Sequence, residues 1–416
     1  MSLLVTQGSF PAEIVDVIID SVHRFPYPPR NDPRAKPKDE RCLALKSCSL
    51  VCRAWLPRSR YHLFRTTTVS FLNHTVFMRL ITSPNCSFLS FIDTLVLKEG
   101  WNGNLNDSHS DSHCARARGT PFWHVDPECV WLPKILSTAM FPIIPYIRKL
   151  HIITGAFHVI SNEDCTKNLL LLSSLTSLTH LALIECIFTT VDDVVRVLSL
   201  CQALESARLE NVIFMGSSPP GITAQSHLPR LPASLSSLAI TVGNEDSIIL
   251  QIIPIAGPSL KHLSMSLTPI KITRDDSDAL IVNANLGHST SLESIIFQRV
   301  PITDVYGNAT NCVRHIPEML RQVTSSSINE IILTVWLTNV EDFDNLDWKS
   351  ITKVLSRENY RNLRKFSVVS GRDDLAAESK ERITRKLKPL TDKNLSVEIV
   401  DYSLNHHQFV EARLGW

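Results

Sequence analysis

The residues best able to do chemistry cluster near the N-terminus. Cys42, Cys48, Cys52 and His62 offer four ligands in the spacing C-x5-C-x3-C-x9-H. That is not the close-paired pattern of a structural zinc site. Helical spacing places Cys48 and Cys52 on one face beside Leu50 and Val51, where thiols behave as small buried hydrophobes. His109, His113 and Cys114 form a second group, but no fourth ligand lies at a suitable spacing. The acidic run RDDSDAL, residues 274 to 280, lacks the Gly and terminal Glu of a calcium loop and reads as a helix start. His151, His180 and His262 are isolated in or next to strand patterns and read as surface positions rather than general bases. No phosphate-cradling glycine loop, nucleophile elbow or H-E-x-x-H pair occurs. The sequence therefore predicts no metal, no cofactor and no catalytic activity.

The framework around these residues is globular. The chain has 416 residues, 44% hydrophobic and 20% charged, which is too long for one small core. A net charge of +1 gives no basic excess for nucleic acid. MSLLVTQGSF lacks a basic start and a long apolar run, so no secretory leader is expected. The ten Cys are dispersed, which fits free thiols in a reducing compartment, cytoplasmic or nuclear. No apolar segment is uninterrupted enough to span a membrane.

In FPAEIVDVIIDSVHRF, Pro11 and Glu13 suit the first turn of a helix. Phe10, Ile14, Val17, Ile18 and Phe25 follow helical spacing and are expected to share a face. The next stretch, PYPPRNDPRAKPKDE, carries five Pro and reads as a loop. A second helix is expected from about Glu40 to Trp55, burying Leu43, Leu50, Val51 and Trp55. Pro57 opens a third with Tyr61, Leu63 and Phe64. Three short helices make a marginal core, completed by a partner or by the rest of the chain.

The ordered combination FPAEIVDVIID and CSLVCRAWLPRSRYHLF resembles the F-box family in its fungal form. Phe10, Pro11, Glu13 and Ile14 match the family's opening. Cys48, Leu50, Val51, Cys52 and Trp55 match its middle block, and Tyr61, Leu63 and Phe64 its ending. The resemblance implies that Phe10, Pro11, Ile14, Leu50, Val51, Trp55 and Leu63 dock a Skp-type adaptor, which joins a cullin-RING ubiquitin ligase. The long Pro-rich loop departs from the family pattern.

Beyond this block the chain repeats. Leu178, Leu181, Leu183, Cys186 and Phe188 read L-x-x-L-x-L-x-x-C-x-F. The pattern returns at Leu204, Leu260 and Leu292, with shorter matches at Ile92, Ile147, Leu235, Ile328 and Leu363 and a last strand from Leu395. Successive starts lie 25 to 36 residues apart except for one gap of 55. This is a leucine-rich-repeat signature, in which each unit supplies a short strand and a return segment. DDVVRVLSLCQAL reads as one return helix. DLAAESKERITRKLKPL reads as another, with Lys380, Arg382, Arg385 and Lys386 on a solvated basic face. The expected fold is α/β: a three-helix F-box-like domain over 1–70, then an irregular arc over 71–416 with a polar insertion at 100–124. Leucine-rich repeats after an F-box are a known family architecture.

Residues flanking the strand leucines alternate onto the concave face of such an arc. They are Lys149, His151, His180, Ala182, Arg208, Glu210, His262, Ser264, Gln298, Glu330 and Thr334. Their mixed chemistry suits a protein surface, so they are the expected target-binding strip. The expected function is the substrate-recognition subunit of a Skp-cullin-F-box ubiquitin ligase. The competing expectation is a leucine-rich scaffold with no ligase link, its N-terminal helices serving as a cap.

Overall fold

The computed structural model describes residues 12–24, 37–51, 53–70, 73–98, 145–155, 157, 172–215, 230–242, 247–267, 281–302, 312–336, 339–370, 376–391 and 396–401. Phe10, Pro11, Phe25, Cys52, the Pro-rich loop up to residue 36 and the insertion at 100–124 lie outside them.

Three helices come first: α1 (Ala12–Arg24), α2 (Pro37–Val51) and α3 (Leu56–Phe64). Helix α2 starts earlier and ends earlier than expected. Their common core is Val15, Ile19 and Leu45, with Trp55 and Leu63 packed against it. The expected burial is corrected here: Leu43, Leu50 and Val51 are exposed, as are Ile14, Val17 and Ile18. Helix α1 is apolar around most of its circumference, so spacing alone does not decide which stripe turns inward. Packing on α2 selects Val15 and Ile19.

Among the described residues thirteen strands follow in chain order: β1 (Thr66–Ser70), β2 (Thr94–Lys98), β3 (Lys149–Ile153), β4 (His180–Ile184), β5 (Ile187–Phe188), β6 (Ser206–Glu210), β7 (Ile213–Phe214), β8 (Ser237–Val242), β9 (His262–Leu267), β10 (Ser294–Pro301), β11 (Glu330–Trp336), β12 (Lys365–Ser370) and β13 (Ser396–Asp401). Eleven form one sheet in the order β1-β2-β3-β4-β6-β8-β9-β10-β11-β12-β13, and β5 pairs β7 separately. Every pairing is parallel, which requires a return segment between neighbours. All ten expected strands form, each one or two residues after its motif start. The eleventh, β1, was not expected, because TTTVS contributes only Val69 to the core. It joins the sheet through β2, so the arc already begins within the segment assigned to the helical domain.

Leu181, Leu183, Leu209, Leu263 and Phe297 lie in one continuous hydrophobic cluster. The return helices α5 (Val191–Leu200), α7 (Cys312–Gln322), α8 (Trp348–Leu355) and α9 (Ala376–Thr391) add Val194, Leu198, Met319, Ile351 and Leu387 to it. A shorter helix, α6 (Ile252–Ala256), adds Ile252 and Ile253, while α4 (His74–Ile81) supplies Ile81 at the first repeat. Caps fix where two of these helices begin. The Thr190 hydroxyl accepts from the Asp193 N–H at 3.4 Å while the Asp193 carboxylate accepts from the Thr190 N–H at 3.0 Å. Asp347 accepts from the Ser350 N–H at 2.9 Å.

One device sets the register along the whole arc. In the large sheet the carbonyl preceding each strand from β1 to β11 accepts two N–H groups from the next repeat. Arg65 O receives Asp93 and Thr94, Arg148 O receives Thr179 and His180, and Asn329 O receives Arg364 and Lys365. A left-handed residue recurs at one register position, just after β3, β4 and β6 and within β10: Thr154, Glu185, Asn211 and Arg299 have φ between 49° and 58°. Just beyond one such residue Cys186, the motif cysteine, donates its thiol to Ile152 O of the previous repeat at 3.4 Å.

Candidate functional site

Two surfaces carry the residues singled out by the sequence. The first is the exposed side of α1 and α2. Ile14, Val17 and Ile18 lie at i, i+3 and i+4 and form one stripe, and Leu43, Leu50 and Val51 lie at i, i+7 and i+8 on α2 and form a second. All six are exposed, Leu50 at 85%. Trp55 and Leu63, also expected on this docking surface, turn inward and pack on Val15, Ile19 and Leu45. So Ile14, Leu50 and Val51 are exposed, Trp55 and Leu63 pack inward, and Phe10 and Pro11 lie outside the described residues.

A polar clasp holds the supporting helices. Arg58 of α3 donates from Nε and Nη2 to the two carboxylate oxygens of Asp20 on α1, each at 2.7 Å. His62 Nε2 lies 2.7 Å from Asp20 Oδ1. The Arg58 guanidinium, aided by His62, holds the Asp20 carboxyl well below the usual carboxylate range. Spacing alone does not reveal this pairing, which joins side chains 38 residues apart in the sequence. Helix α3 then passes into β1 through Arg65 alone. Phe64 stacks on Phe88 at 4.5 Å, and Arg65 lies 3.8 Å from Asp93.

The second surface is the sheet face opposite the helix-bearing core, the one expected to be concave. The register lines up its residues as rows. His151, Ala182 and Arg208 are neighbours across β3, β4 and β6, as are Lys149 and His180. Ser264, Ile296, Ile332 and Ser367 continue the first row across β9 to β12. All eleven expected residues lie on this face. Their accessibility divides it. Lys149, His151, His180, Arg208 and Glu210 are half-buried on β3 to β6, and so are His262 and Gln298. Ala182 is too short to emerge between His151 and Arg208. Ser264, Glu330 and Thr334 are buried, which corrects the expectation of an open strip along the whole arc.

The half-buried end is polar and tightly coupled. Arg208 donates from Nη2 and Nε to Glu210 Oε2 at 2.6 and 3.0 Å. His151 is not the solvated side chain expected. Burial, with Arg208, Lys149 and His180 around it, pulls its pKa from 6.5 to about 4. His262 Nδ1 meets Ser294 Oγ at 2.9 Å, and burial lowers its pKa as well. Near the C-terminal end Lys365 lies 3.8 Å from Glu330 and 2.6 Å from Glu398. These charges answer one another across the face.

Among the described residues no group of three His, Cys, Asp or Glu side chains could hold a metal ion, and no helix is long and apolar enough to cross a membrane. Cys42 and Cys48 are half-buried rather than buried, whereas Cys186 and Cys201 are buried, and burial pushes the Cys201 thiol up to about 12.

Fold and face together define an α/β arc of leucine-rich-repeat type with a helical N-terminal unit. No family model matches the chain, and no curated protein matches it. Among solved structures the chain is similar to a Bacteroides fragilis protein solved by a structural genomics consortium. The two share 12% identity over 65% of this chain and 68% of that one, with a TM-score of 0.38. It is also similar to an internalin from Listeria monocytogenes, at 14% identity over 63% of this chain and 78% of that one, with a TM-score of 0.24. Likeness at this level adds nothing to the strand register as an argument for the architecture.

Proposed function

We propose that this chain is a non-catalytic substrate-recognition subunit of a Skp-cullin-F-box type ubiquitin ligase, acting in the cytoplasm or nucleus. Helices α1 to α3 dock a Skp-type adaptor, and the arc holds a target protein. The observation that supports it most is the inverted burial of the helical unit. Its own core has three buried apolar residues, while six large aliphatic side chains face outward on α1 and α2. An exposed patch of that kind marks a protein interface. It falls on the residues that the F-box resemblance assigns to adaptor docking, Ile14, Leu50 and Val51.

The test is affinity capture of a Skp-type adaptor by the full chain, compared with Ile14→Asp combined with Leu50→Asp. The reading predicts capture by the natural chain and loss in the variant, with the arc still folded. Undiminished capture by the variant, or none by the natural chain, rejects it.

A second reading draws on the junction. The single-residue passage from α3 to β1 and the Phe64–Phe88 stack are what a capping unit needs. On that reading the chain is a scaffold with no ligase link. Failure of adaptor capture, together with loss of arc stability on removing the helices, favours it.

A further inference from the structure

At the edge of the arc where β11 and β12 begin, Ser327, Asn329, Glu330, Asn362, Arg364 and Lys365 line a cleft of about 490 Å³. Every lining residue is polar, which suits a polar ligand. Two of its charges are already answered: Lys365 lies 3.8 Å from Glu330 and 2.6 Å from Glu398. Arg364 differs, because among the described residues no acid pairs with it. The repeat makes this a departure. Arg364 occupies the position just before its strand, as do Arg65, Asp93, Lys261, Glu293 and Asn329 in other repeats. Two cations at that position are met by an acid in the adjacent repeat, Arg65 by Asp93 at 3.8 Å and Lys261 by Glu293 at 3.0 Å. Beside Arg364 the corresponding residue is Asn329, a neutral amide, whose carbonyl accepts from the Arg364 N–H at 2.9 Å.

We infer that this cleft is a recognition site for one carboxylate, carried on an Asp or Glu side chain of a bound protein, with Arg364 as the residue that pairs with it. A guanidinium presents two parallel N–H groups that match the two oxygens of a carboxylate. Asn329, Asn362 and Ser327 add amide and hydroxyl groups for the peptide on either side. Asn362 donates from Nδ2 to Ser326 O at 2.7 Å, which fixes its amide in the wall. One cation without an acid suits a ligand with one negative charge. A phosphate, carrying nearly two, would crowd the Glu330 carboxylate in the same cleft. Ser327, Asn329, Asn362 and Arg364 are all exposed. A chain can therefore run past in both directions, which suits a side chain rather than a chain end. That the bound protein is the target rests on the arc being the target surface, as proposed above; the carboxylate site itself does not.

The test follows the Nε–H magnetic resonance signals of isotope-labelled arginine in the full chain. Arg364 is assigned by the loss of its signal in Arg364→Lys. Arg361, exposed and paired with Glu358 at 3.1 Å, serves as the reference and is assigned in the same way. N-acetyl-glutamate methylamide should move the Arg364 signal saturably and several-fold further than the Arg361 signal. Its glutamine counterpart should leave both in place. No movement at Arg364, or equal movement at the two arginines, overturns the proposal. So does a stronger response of Arg364 to inorganic phosphate or to N-acetylglycine, whose carboxylate is terminal. Asn329→Asp then supplies an internal acid beside Arg364, as Glu293 does for Lys261. Residue 329 is exposed, so the variant should fold, and its response to the glutamate compound should fall several-fold. An undiminished response in that variant overturns the proposal. Neither measurement uses an adaptor or a target, so failure here is distinguishable from failure of adaptor capture.

Discussion

The helical unit and the arc face the same burial problem with unequal means. The helices close over Val15, Ile19 and Leu45 and leave six aliphatic side chains outside. The arc draws its strands and helices into one cluster running from Val69 to Leu387. Repetition accounts for the difference. Each repeat lends its neighbour a buried face, so burial grows with every unit added, whereas the three short helices stand outside that series. The arc therefore has its stability built in, and the helices hold theirs through a three-residue core and a clasp.

The largest expected effect breaks the arc. Leu181 is fully buried between its strand neighbours Leu150 and Ala207. Leu181→Ala should cost about 2–5 kcal/mol. Thr179→Ala, two residues earlier, loses hydroxyl contacts to Arg148 O at 3.2 Å and His180 Nδ1 at 2.8 Å on a more exposed side chain, and should cost about 1 kcal/mol or less. Denaturant unfolding of both variants separates them. Equal losses would mean that the strand register is wrong.

A smaller effect, dependent on pH, follows from His151. Its pKa falls from 6.5 to about 4 on folding. Between those values the unfolded chain binds the proton and the folded chain does not, so stability rises with pH through this window. It is fully present above about 6.5 and lost progressively as pH falls towards 4, by up to about 3 kcal/mol. His151→Gln should flatten that part of the melting-temperature profile. An unchanged slope would place the titration elsewhere.

Smaller again is the clasp of the helical unit. Asp20 is held ionised by Arg58 and then by His62, its folded pKa lying below its unfolded one. Its contribution is present above the ordinary carboxylate value, near 3.9, and is lost as pH falls below it. Because both partners are partly exposed, Asp20→Asn should cost only about 1 kcal/mol. Hydrogen exchange of α1 and α3 should quicken in the variant while that of β4 and β6 stays the same. Faster exchange throughout would contradict the separation between unit and arc.

The arc was legible because leucines at fixed offsets state which side chains face inward, and one phase then serves every repeat. Strand β1 was missed because Thr66, Thr67 and Thr68 carry no such mark. The closed half of the concave face did leave a signal. SIIF in β10 and EIILTVW in β11 place Ile296 and Ile332 outward, which suits a strand buried on both faces. SARLE in β6 alternates and keeps Arg208 and Glu210 half-open. In α1, Ile14, Val15, Val17, Ile18 and Ile19 surround the helix, and only contact with Leu45 on α2 selects the inner stripe. The Asp20–Arg58–His62 clasp depends on how the helices meet, which no spacing encodes.

The smallest expected effect on stability is the sharpest test of the comparison. Leu50 stands at 85% exposure and adds nothing to the three-residue core. Leu50→Lys should therefore shift stability by no more than about 0.5 kcal/mol, as surface changes do. Leu45→Lys, five residues away and 2% exposed, buries a charge in the middle of the unit and should unfold the helices. The contrast is best read by hydrogen exchange of α1. An unchanged rate in Leu50→Lys with a much faster one in Leu45→Lys means that the outer stripe adds nothing to the folding of the unit and is open to a partner. Destabilisation by Leu50→Lys in the chain alone would mean that the stripe is already covered within this molecule, and the unit would then be a cap rather than a docking module.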